Sequence, residues 1–183
     1  MKRVQFVMAC ASLLLGAAPV FGAETGAAAP TDPQIAAIVV AANQVDTDAA
    51  KVAKSHTKNK DVKEFANTMI RDHEAVNKQA KSLVKKLNVK PEPNPTSKSL
   101  EKGGKENMAK LKTLKASAFD KAYAEHEVAY HQQVLDAINN TLVPNAKNPE
   151  LKSLLEKVAQ VIQAHLDHAK KLQGELTSAG ASK

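Results

Sequence analysis

Apolar residues recur every three or four positions along four long segments of this 183-residue chain, which is the spacing of amphipathic α-helices. The segments cover about 33–56, 59–88, 118–142 and 149–176, and a shorter one covers about 105–116. Prolines stand between these segments because proline breaks a helix interior. Asp32-Pro33 and Asn148-Pro149 are predicted to open the first and last helices, each as N-cap and first helical residue.

The lengths of the connections predict how the helices are arranged. The first and second helices, and the third and fourth, are separated by only a few residues, so each pair should form an antiparallel hairpin. The middle connection, about 88–118, is long enough to return the chain along a bundle. The predicted fold is therefore all-α: a ferritin-like four-helix bundle of two antiparallel hairpins, joined by a long crossover containing the short extra helix.

Composition supports a helical fold. The chain is 43% hydrophobic but only 3% aromatic, with no tryptophan, and is rich in alanine, leucine, lysine and glutamate. Strands favour aromatic and β-branched residues, whereas helices favour the residues found here. A β-sandwich or barrel is therefore disfavoured.

The N-terminus has the pattern of a secretory signal peptide. Lys2-Arg3 precede an apolar run from Val4 to Val20 and small residues suited to cleavage near position 23. The predicted organisation is a signal peptide over 1–23, a flexible linker over 24–31, the bundle over 32–176 and a flexible tail over 177–183. The expected location is the periplasm or the outer membrane. A membrane anchor, and lipidation at Cys10 within a loose lipobox, are the alternatives.

Charge and cysteine content limit the partners of the mature chain. Without Lys2 and Arg3 the formal charge falls from +7 to +5, and the only cysteine, Cys10, is lost with the leader. An exported chain whose mature part has few aromatic rings for base stacking is not expected to bind nucleic acid. An unidentified envelope partner and no transmembrane segment are expected, and the sequence does not set an oligomeric state.

Polar residues occupy the centres of the predicted apolar faces. His73, His131 and His165 lie at the middle of the stripes of the second, third and fourth long helices, and Asp46 lies on the inner face of the first. Counted from the turns at 1.5 Å per residue, these four positions fall at similar heights. Glu127 precedes His131 by about one turn. These side chains are predicted to converge inside the bundle.

The other histidines and one neighbouring acid are assigned outside this cluster. His56 and His126 fall on or near outward faces, and His168 lies on the shoulder of its stripe. His168 is read as a surface group or a support for a ligand. Asp72 points about 100° away from its neighbour His73, so it is predicted to be a solvent-side or capping acid.

Buried imidazoles and a carboxylate need partners, because an unsatisfied buried polar group costs about 1–3 kcal/mol. One solution is a transition-metal ion, zinc, copper, iron or nickel, held by His73, His131 and His165 with Asp46 or Glu127, without an organic cofactor. The alternative is a metal-free hydrogen-bonded network in a structural or interaction module. An enzyme has no support from a nucleophile or phosphate-binding motif in the sequence.

The chain also resembles a known family. The residues that carry the resemblance are Val62-Lys63-Glu64-Phe65-Ala66, Met69-Ile70-Arg71-Asp72-His73, Phe119-Asp120-Lys121-Ala122-Tyr123, His131 and His165-Leu166. They are similar to domain of unknown function 4142, a family of exported, ferritin-like bacterial proteins often labelled outer membrane proteins. The resemblance spans roughly 32–176 and implies an acid at Asp46, where the family usually has glutamate, and histidines at positions 73, 131 and 165.

The resemblance to ferritin-like proteins does not extend to their di-iron motif. Those carboxylate sites use two Glu-x-x-His motifs, and no glutamate in this chain is followed by histidine at the third position. Iron storage or ferroxidase chemistry of that design is therefore not expected.

Overall fold

Residues 28–181, which the computed structural model describes, form helices and their connections, with no strand among them. The five main helices are α1 (Asp32–His56), α2 (Lys60–Lys86), α3 (Pro95–Thr113), α4 (Ala116–Ala137) and α5 (Pro149–Ala181). For these residues, the prediction of an all-α fold is confirmed. The predicted signal peptide over 1–23 and the first residues of the predicted linker lie outside the described residues.

The crossover helix is longer than the sequence pattern indicated. The predicted short helix over 105–116 is wrong at both ends, because α3 begins at Pro95 and continues through the two glycines to Thr113. Asn94 caps it: Asn94 Oδ1 accepts from Ser97 N, and Ser97 Oγ accepts from Asn94 N. Asparagine followed by proline is itself a helix-start signal, which the weak apolar periodicity of this segment concealed.

The end of α4 also differs from the prediction. The α-helix stops at Ala137, residues Ile138–Leu142 form a π-helical turn, and Val143–Asn145 add one further helical turn. A π-helical turn inserts an extra residue, which changes the positions of the side chains beyond it. The last helix, α5, continues to Ala181, five residues past its predicted end at 176.

Asp32 does not have the capping role predicted for it. The N-cap of α1 is Thr31, whose backbone N–H donates to Gln34 Oε1. The Asp32 carboxylate instead accepts from the backbone N–H groups of Lys147 and Asn148, 2.9 Å away in each case. It therefore fastens the start of α1 to the loop before α5. Asn148 does cap α5 as predicted.

Helix α1 packs along both α2 and α3, α4 packs along α5, and α2 also contacts α5. The buried apolar side chains form two clusters, one on each side of the level of Asp46. One includes Ile35, Leu155 and Leu166, and the other includes Phe65 and Phe119. The polar side chains at that level are therefore closed off from above and below. No helix within residues 28–181 is both long and apolar enough to cross a membrane.

Gly104 allows α3 to approach α1. A Cβ atom at this position would lie 2.7 Å from Val45 Cγ1 and 2.9 Å from Val45 Cγ2. At neighbouring Gly103 a Cβ would meet nothing within 4 Å. The two adjacent glycines therefore have different roles: Gly104 is required by packing and Gly103 is not.

We predict opposite effects for alanine at these two glycines. Gly104→Ala should lower the free energy of unfolding by about 1–3 kcal/mol, because the added methyl group overpacks against Val45. The matched Gly103→Ala should raise it by up to about 1 kcal/mol, because alanine is the better helix former. Urea unfolding followed by circular dichroism would measure both. A Gly104→Ala protein as stable as Gly103→Ala would contradict the close packing described here.

Candidate metal centre

Three imidazole rings and one carboxylate meet at the level between the two apolar clusters. Each comes from a different long helix: Asp46 from α1, His73 from α2, His131 from α4 and His165 from α5. The ring centroids of the three histidines lie 5.1–5.6 Å from one another. Asp46 Oδ2 lies 2.9 Å from His73 Nε2 and 3.2 Å from His131 Nε2. The convergence predicted from helix periodicity is therefore present.

One nitrogen of each imidazole contacts an acceptor on the outside of the cluster. His73 Nδ1 is 2.7 Å from Asn43 Oδ1, and the amide nitrogen of Asn43 donates to Val39 O, which assigns Oδ1 as the acceptor. His131 Nδ1 is 2.9 Å from the backbone oxygen of Glu127. His165 Nε2 is 3.1 Å from Asp72 Oδ2. Each of these nitrogens must carry the proton, because its partner can only accept.

The inner nitrogen of each ring is consequently left with its lone pair when the imidazole is neutral. These inner atoms are Nε2 of His73, Nε2 of His131 and Nδ1 of His165. All three are buried, and none has a hydrogen-bond partner within the described part of the chain. Both carboxylate oxygens of Asp46 are likewise buried and have no hydrogen-bond partner among these residues. Acceptor atoms thus face one another at about 3 Å, an arrangement that is repulsive unless a cation or a proton lies between them.

The electrostatics of the cluster favour an anionic aspartate beside neutral imidazole. Burial raises the pKa of Asp46, but His73 and His131 together outweigh burial and hold that pKa well below its usual range. Burial lowers the pKa of His131 to about 4, although Asp46 opposes this shift. Burial and His73 also lower the pKa of His165. Near neutral pH, His131 therefore presents an unprotonated nitrogen to the negative charge of Asp46.

Glu127 adds a second buried acid beside Asp46. Its side chain is 1% exposed, and Oε2 lies 3.4 Å from His131 Nδ1. Burial raises the pKa of Glu127 well above its usual value, and the charge of Asp46 raises it further. Burial and the nearby carboxylate of Glu127 likewise raise the pKa of Tyr123. The raised pKa of Glu127 favours its protonated form, in which it adds no second negative charge beside Asp46.

Two overlapping groups of residues have the geometry to hold a metal ion. In one, a ligand atom from each of His73, His131 and His165 lies within 4.8 Å of the others, and in the second the same holds for Asp46, Glu127 and His131. Two ligands of one zinc ion lie at most about 4 Å apart, because each bond is about 2.0–2.2 Å long. The three imidazoles thus form one candidate ligand set, and Asp46 lies beside two of its members, His73 and His131.

Asp72, which was predicted to be a solvent-side or capping acid, has a different role in the structure. It is half-buried and accepts from His165 across the α2–α5 contact, while its other contacts are with exposed Arg71. The 100° offset from His73 was correct, but it aims Asp72 at a neighbouring helix rather than at solvent. Asn43, which orients His73, was missed altogether. Its signal was an amide one turn before Asp46 on the same helix.

The three histidines assigned outside the cluster take no part in it. His56 and His168 are exposed, and their rings contact Phe119 and Phe65 respectively. His126 is half-buried and stacks on Tyr130. His126 was predicted to face outward but is partly covered by this contact, so only His56 and His168 supply surface controls for experiments on the buried rings.

A narrow cavity borders the cluster on the side of His73 and Asn43. Tyr130 and aliphatic side chains of α1, α4, α5 and the π-helical turn form the rest of its wall. The space available to the centre of a water-sized sphere is about 20 Å³, which is room for about one water molecule. The side chains around His73 thus leave space for a water-sized molecule but for nothing larger.

Residues 18–172 match the model of the family described as Domain of unknown function (DUF4142). The match contains α1, α2, α4 and most of α5, and so it contains all four converging residues. No curated protein and no solved structure matches the chain. The family description assigns neither an activity nor a ligand, so the chemistry of the site is the guide to function.

We predict that the metal-free Glu127→Gln variant loses stability as the pH falls from 6.5 towards 4. An unfolded histidine takes up a proton near pH 6.5, whereas folded His131 does so only near 4. His131 alone should therefore reduce the free energy of unfolding by up to about 1.4 kcal/mol per pH unit. In the wild type, protonated Glu127 has the opposite effect above about pH 4.5, because the unfolded chain releases that proton and the folded chain keeps it.

Urea unfolding with a chelator at pH 4.5, 5.5 and 6.5 would measure the two slopes. The wild type should show the flatter dependence over this window. A Glu127→Gln, His131→Gln double variant should lose the contribution of His131. Equal slopes in all three proteins would contradict the assignment of a neutral imidazole and a protonated carboxyl.

Proposed function

Because the chain belongs to the DUF4142 family, whose description names no activity, we propose a function from the site itself: the protein binds one transition-metal ion between its helices. The proposed ligands are His73, His131, His165 and Asp46. The observation that carries this proposal is the convergence of three buried imidazole rings next to the carboxylate of Asp46, each ring being oriented by an acceptor outside the cluster.

The pattern of outer contacts is the one that metal-binding histidines require. A ligating imidazole usually donates its other ring N–H to a carboxylate, a backbone carbonyl or a similar acceptor, which fixes the tautomer and aims the lone pair. All three rings meet this condition, with an amide, a carbonyl and a carboxylate as their respective acceptors. Three such rings around one point support a metal more strongly than any single buried histidine would.

The donor set favours transition metals over magnesium or calcium. Magnesium and calcium prefer oxygen ligands, whereas imidazole suits zinc, copper, iron and nickel. Asp46 supplies one negative charge and the imidazoles supply none, so a divalent ion leaves a net positive charge on the centre. Glu127 is close enough to reduce that charge if it releases its proton, and it is the proposed fifth participant.

We propose that the role of the bound ion is metal handling or protection in the cell envelope rather than turnover of a large substrate. The ligand side chains are almost completely buried, and the adjoining cavity has room for only a water-sized molecule. Export is proposed from the leader-like N-terminal sequence, and the ferritin-like arrangement of the four long helices from their order and connection lengths.

The competing function is a structural module with a metal-free polar core. One observation favours it: His73 lies between Asn43 Oδ1 and Asp46 Oδ2, so a doubly protonated His73 would donate to both. In that case a proton, rather than a metal ion, would relieve the repulsion between the acceptors. The two functions differ in whether added metal stabilises the fold.

We predict that the purified, chelator-treated protein binds one equivalent of at least one of Zn²⁺, Cu²⁺, Ni²⁺ and Fe²⁺ and unfolds at a higher temperature with it. His73→Ala and His131→Ala should each weaken binding by at least 100-fold, since each removes a buried ligand. Calorimetric titration and thermal unfolding would measure these effects. Affinity should also fall as the pH drops below about 6.5, because protons compete for imidazole.

His56→Ala and His168→Ala are the matched controls, because they remove imidazoles that lie outside the cluster. Both should bind metal within about threefold of the wild type. If no ion raises the unfolding temperature, or if the control variants lose affinity as strongly as the buried ones, the metal proposal is wrong. A stable metal-free protein would then favour the structural module.

We predict that Asp72→Ala weakens metal binding by about 10–100-fold without abolishing it. The carboxylate holds the proton of His165 on Nε2, and without it the ring can place that proton on the nitrogen that faces the metal. Asp167→Ala, which removes an exposed acid from the same helix as His165, is the control and should have no effect. Equal affinities for the two variants would show that Asp72 does not orient the ring.

A further inference from the structure

The formal charge of the chain is concentrated in one segment. Residues 85–115, which comprise the end of α2, the crossover helix α3 and the turn into α4, contain nine lysines and three glutamates. Their net charge is +6, out of +7 for the whole chain. The other residues therefore sum to +1, of which Lys2 and Arg3 of the predicted leader contribute +2. Residues 85–115 therefore hold essentially all of the excess positive charge.

On α3 these lysines form a row that faces away from the rest of the protein. Lys98, Lys102, Lys105 and Lys112 follow one another at intervals of four, three and seven residues, which places them on one face of the helix. All four are exposed. The residues of α3 that are buried are Ser97, Leu100, Gly104 and Leu111. The row is about 21 Å long, at 1.5 Å per residue.

The charge of this lysine row is only partly compensated, because the one acid on the same face of α3 is Glu101, one turn from Lys98 and from Lys105. Lys102 lies 3.9 Å from Glu106, and both side chains are exposed. Within residues 28–181, no carboxylate lies within 4.0 Å of the other three lysines of the row. By contrast, Lys51 and Lys86 outside the row have close acidic partners. An anionic partner could therefore contact the row without first displacing strong internal ion pairs.

The chemistry of the row fits a diffuse anionic surface. It contains no arginine, which recognises individual phosphates and carboxylates through paired hydrogen bonds, and no aromatic residue on which a base could stack. Lysine side chains act as flexible point charges that need no fixed geometry. Each basic residue close to an anionic membrane surface strengthens binding by about fivefold.

We propose that α3 is the face by which this protein adsorbs to a membrane that contains anionic phospholipid headgroups. The contact is electrostatic and does not insert into the bilayer, because the exposed row carries no large apolar side chain. It leaves the histidine cluster untouched, since the ligands face the opposite side of α1 from α3. The inference does not depend on whether a metal binds.

Sedimentation of the folded protein with phospholipid vesicles tests this proposal. The wild type should bind vesicles of phosphatidylcholine with 30–40% phosphatidylglycerol, and should bind pure phosphatidylcholine at least tenfold more weakly. Binding should also weaken at least tenfold when the salt concentration rises from low to about 0.5 M, because salt screens exposed charges. Lys98→Gln, Lys102→Gln, Lys105→Gln and Lys112→Gln combined should weaken binding to anionic vesicles at least tenfold.

A second variant with the same change in net charge controls for non-specific attraction. It replaces four exposed lysines outside the row by glutamine, at Lys63, Lys152, Lys157 and Lys170. This variant should bind anionic vesicles within about threefold of the wild type, and circular dichroism should show that both variants are folded. Equal losses in the two variants would show that only total charge matters. No binding of the wild type to anionic vesicles, or tighter row-dependent binding to single-stranded DNA, would overturn the membrane assignment.

Discussion

The buried carboxylate of Asp46 is the constraint around which this molecule is organised. A charged group removed from water is strongly destabilising unless opposite charge or hydrogen-bond donors surround it. Here the surrounding atoms are nitrogens whose protons are committed to acceptors elsewhere, on Asn43, on the backbone before His131 and on Asp72. The need for a cation or an additional proton at the centre follows from this commitment. The packing of the four helices places the buried charge of Asp46 and the surrounding imidazoles at the same level of the structure.

Periodicity alone predicted most of this arrangement. Four long helices, their short connections, and the polar residues at the centres of the apolar stripes follow from residue spacing, and the four chosen side chains meet as expected. Asp46 was accessible to this reasoning because an acid among alanines and valines is conspicuous. The family assignment also followed from short sequence patterns and is confirmed by the match over residues 18–172.

The roles of Asp72 and Asn43 could not be predicted, because they depend on contacts with neighbouring helices rather than on each residue's position in its own helix. A helical wheel reports the direction of Asp72 relative to its own helix, but not that α5 stands in that direction. The same applies to Asn43, whose role depends on its contact with the ring of His73. The π-helical turn after Ala137 and the length of α3 are local features, yet their apolar periodicity is weak, so only the cap at Asn94 indicated where α3 begins.

The half-exposed position of Asp72 makes the seam between α2 and α5 the point where the interior meets solvent. Asp46, His73 and His131 are at most 3% exposed, whereas Asp72 is 28% exposed. If the cluster holds an ion as proposed, Asp72 is a solvent-accessible acid in direct contact with one of the proposed ligands, His165, and would meet an incoming ion before the inner ligands do. On this route, a bound ion would enter and leave through the same seam between α2 and α5.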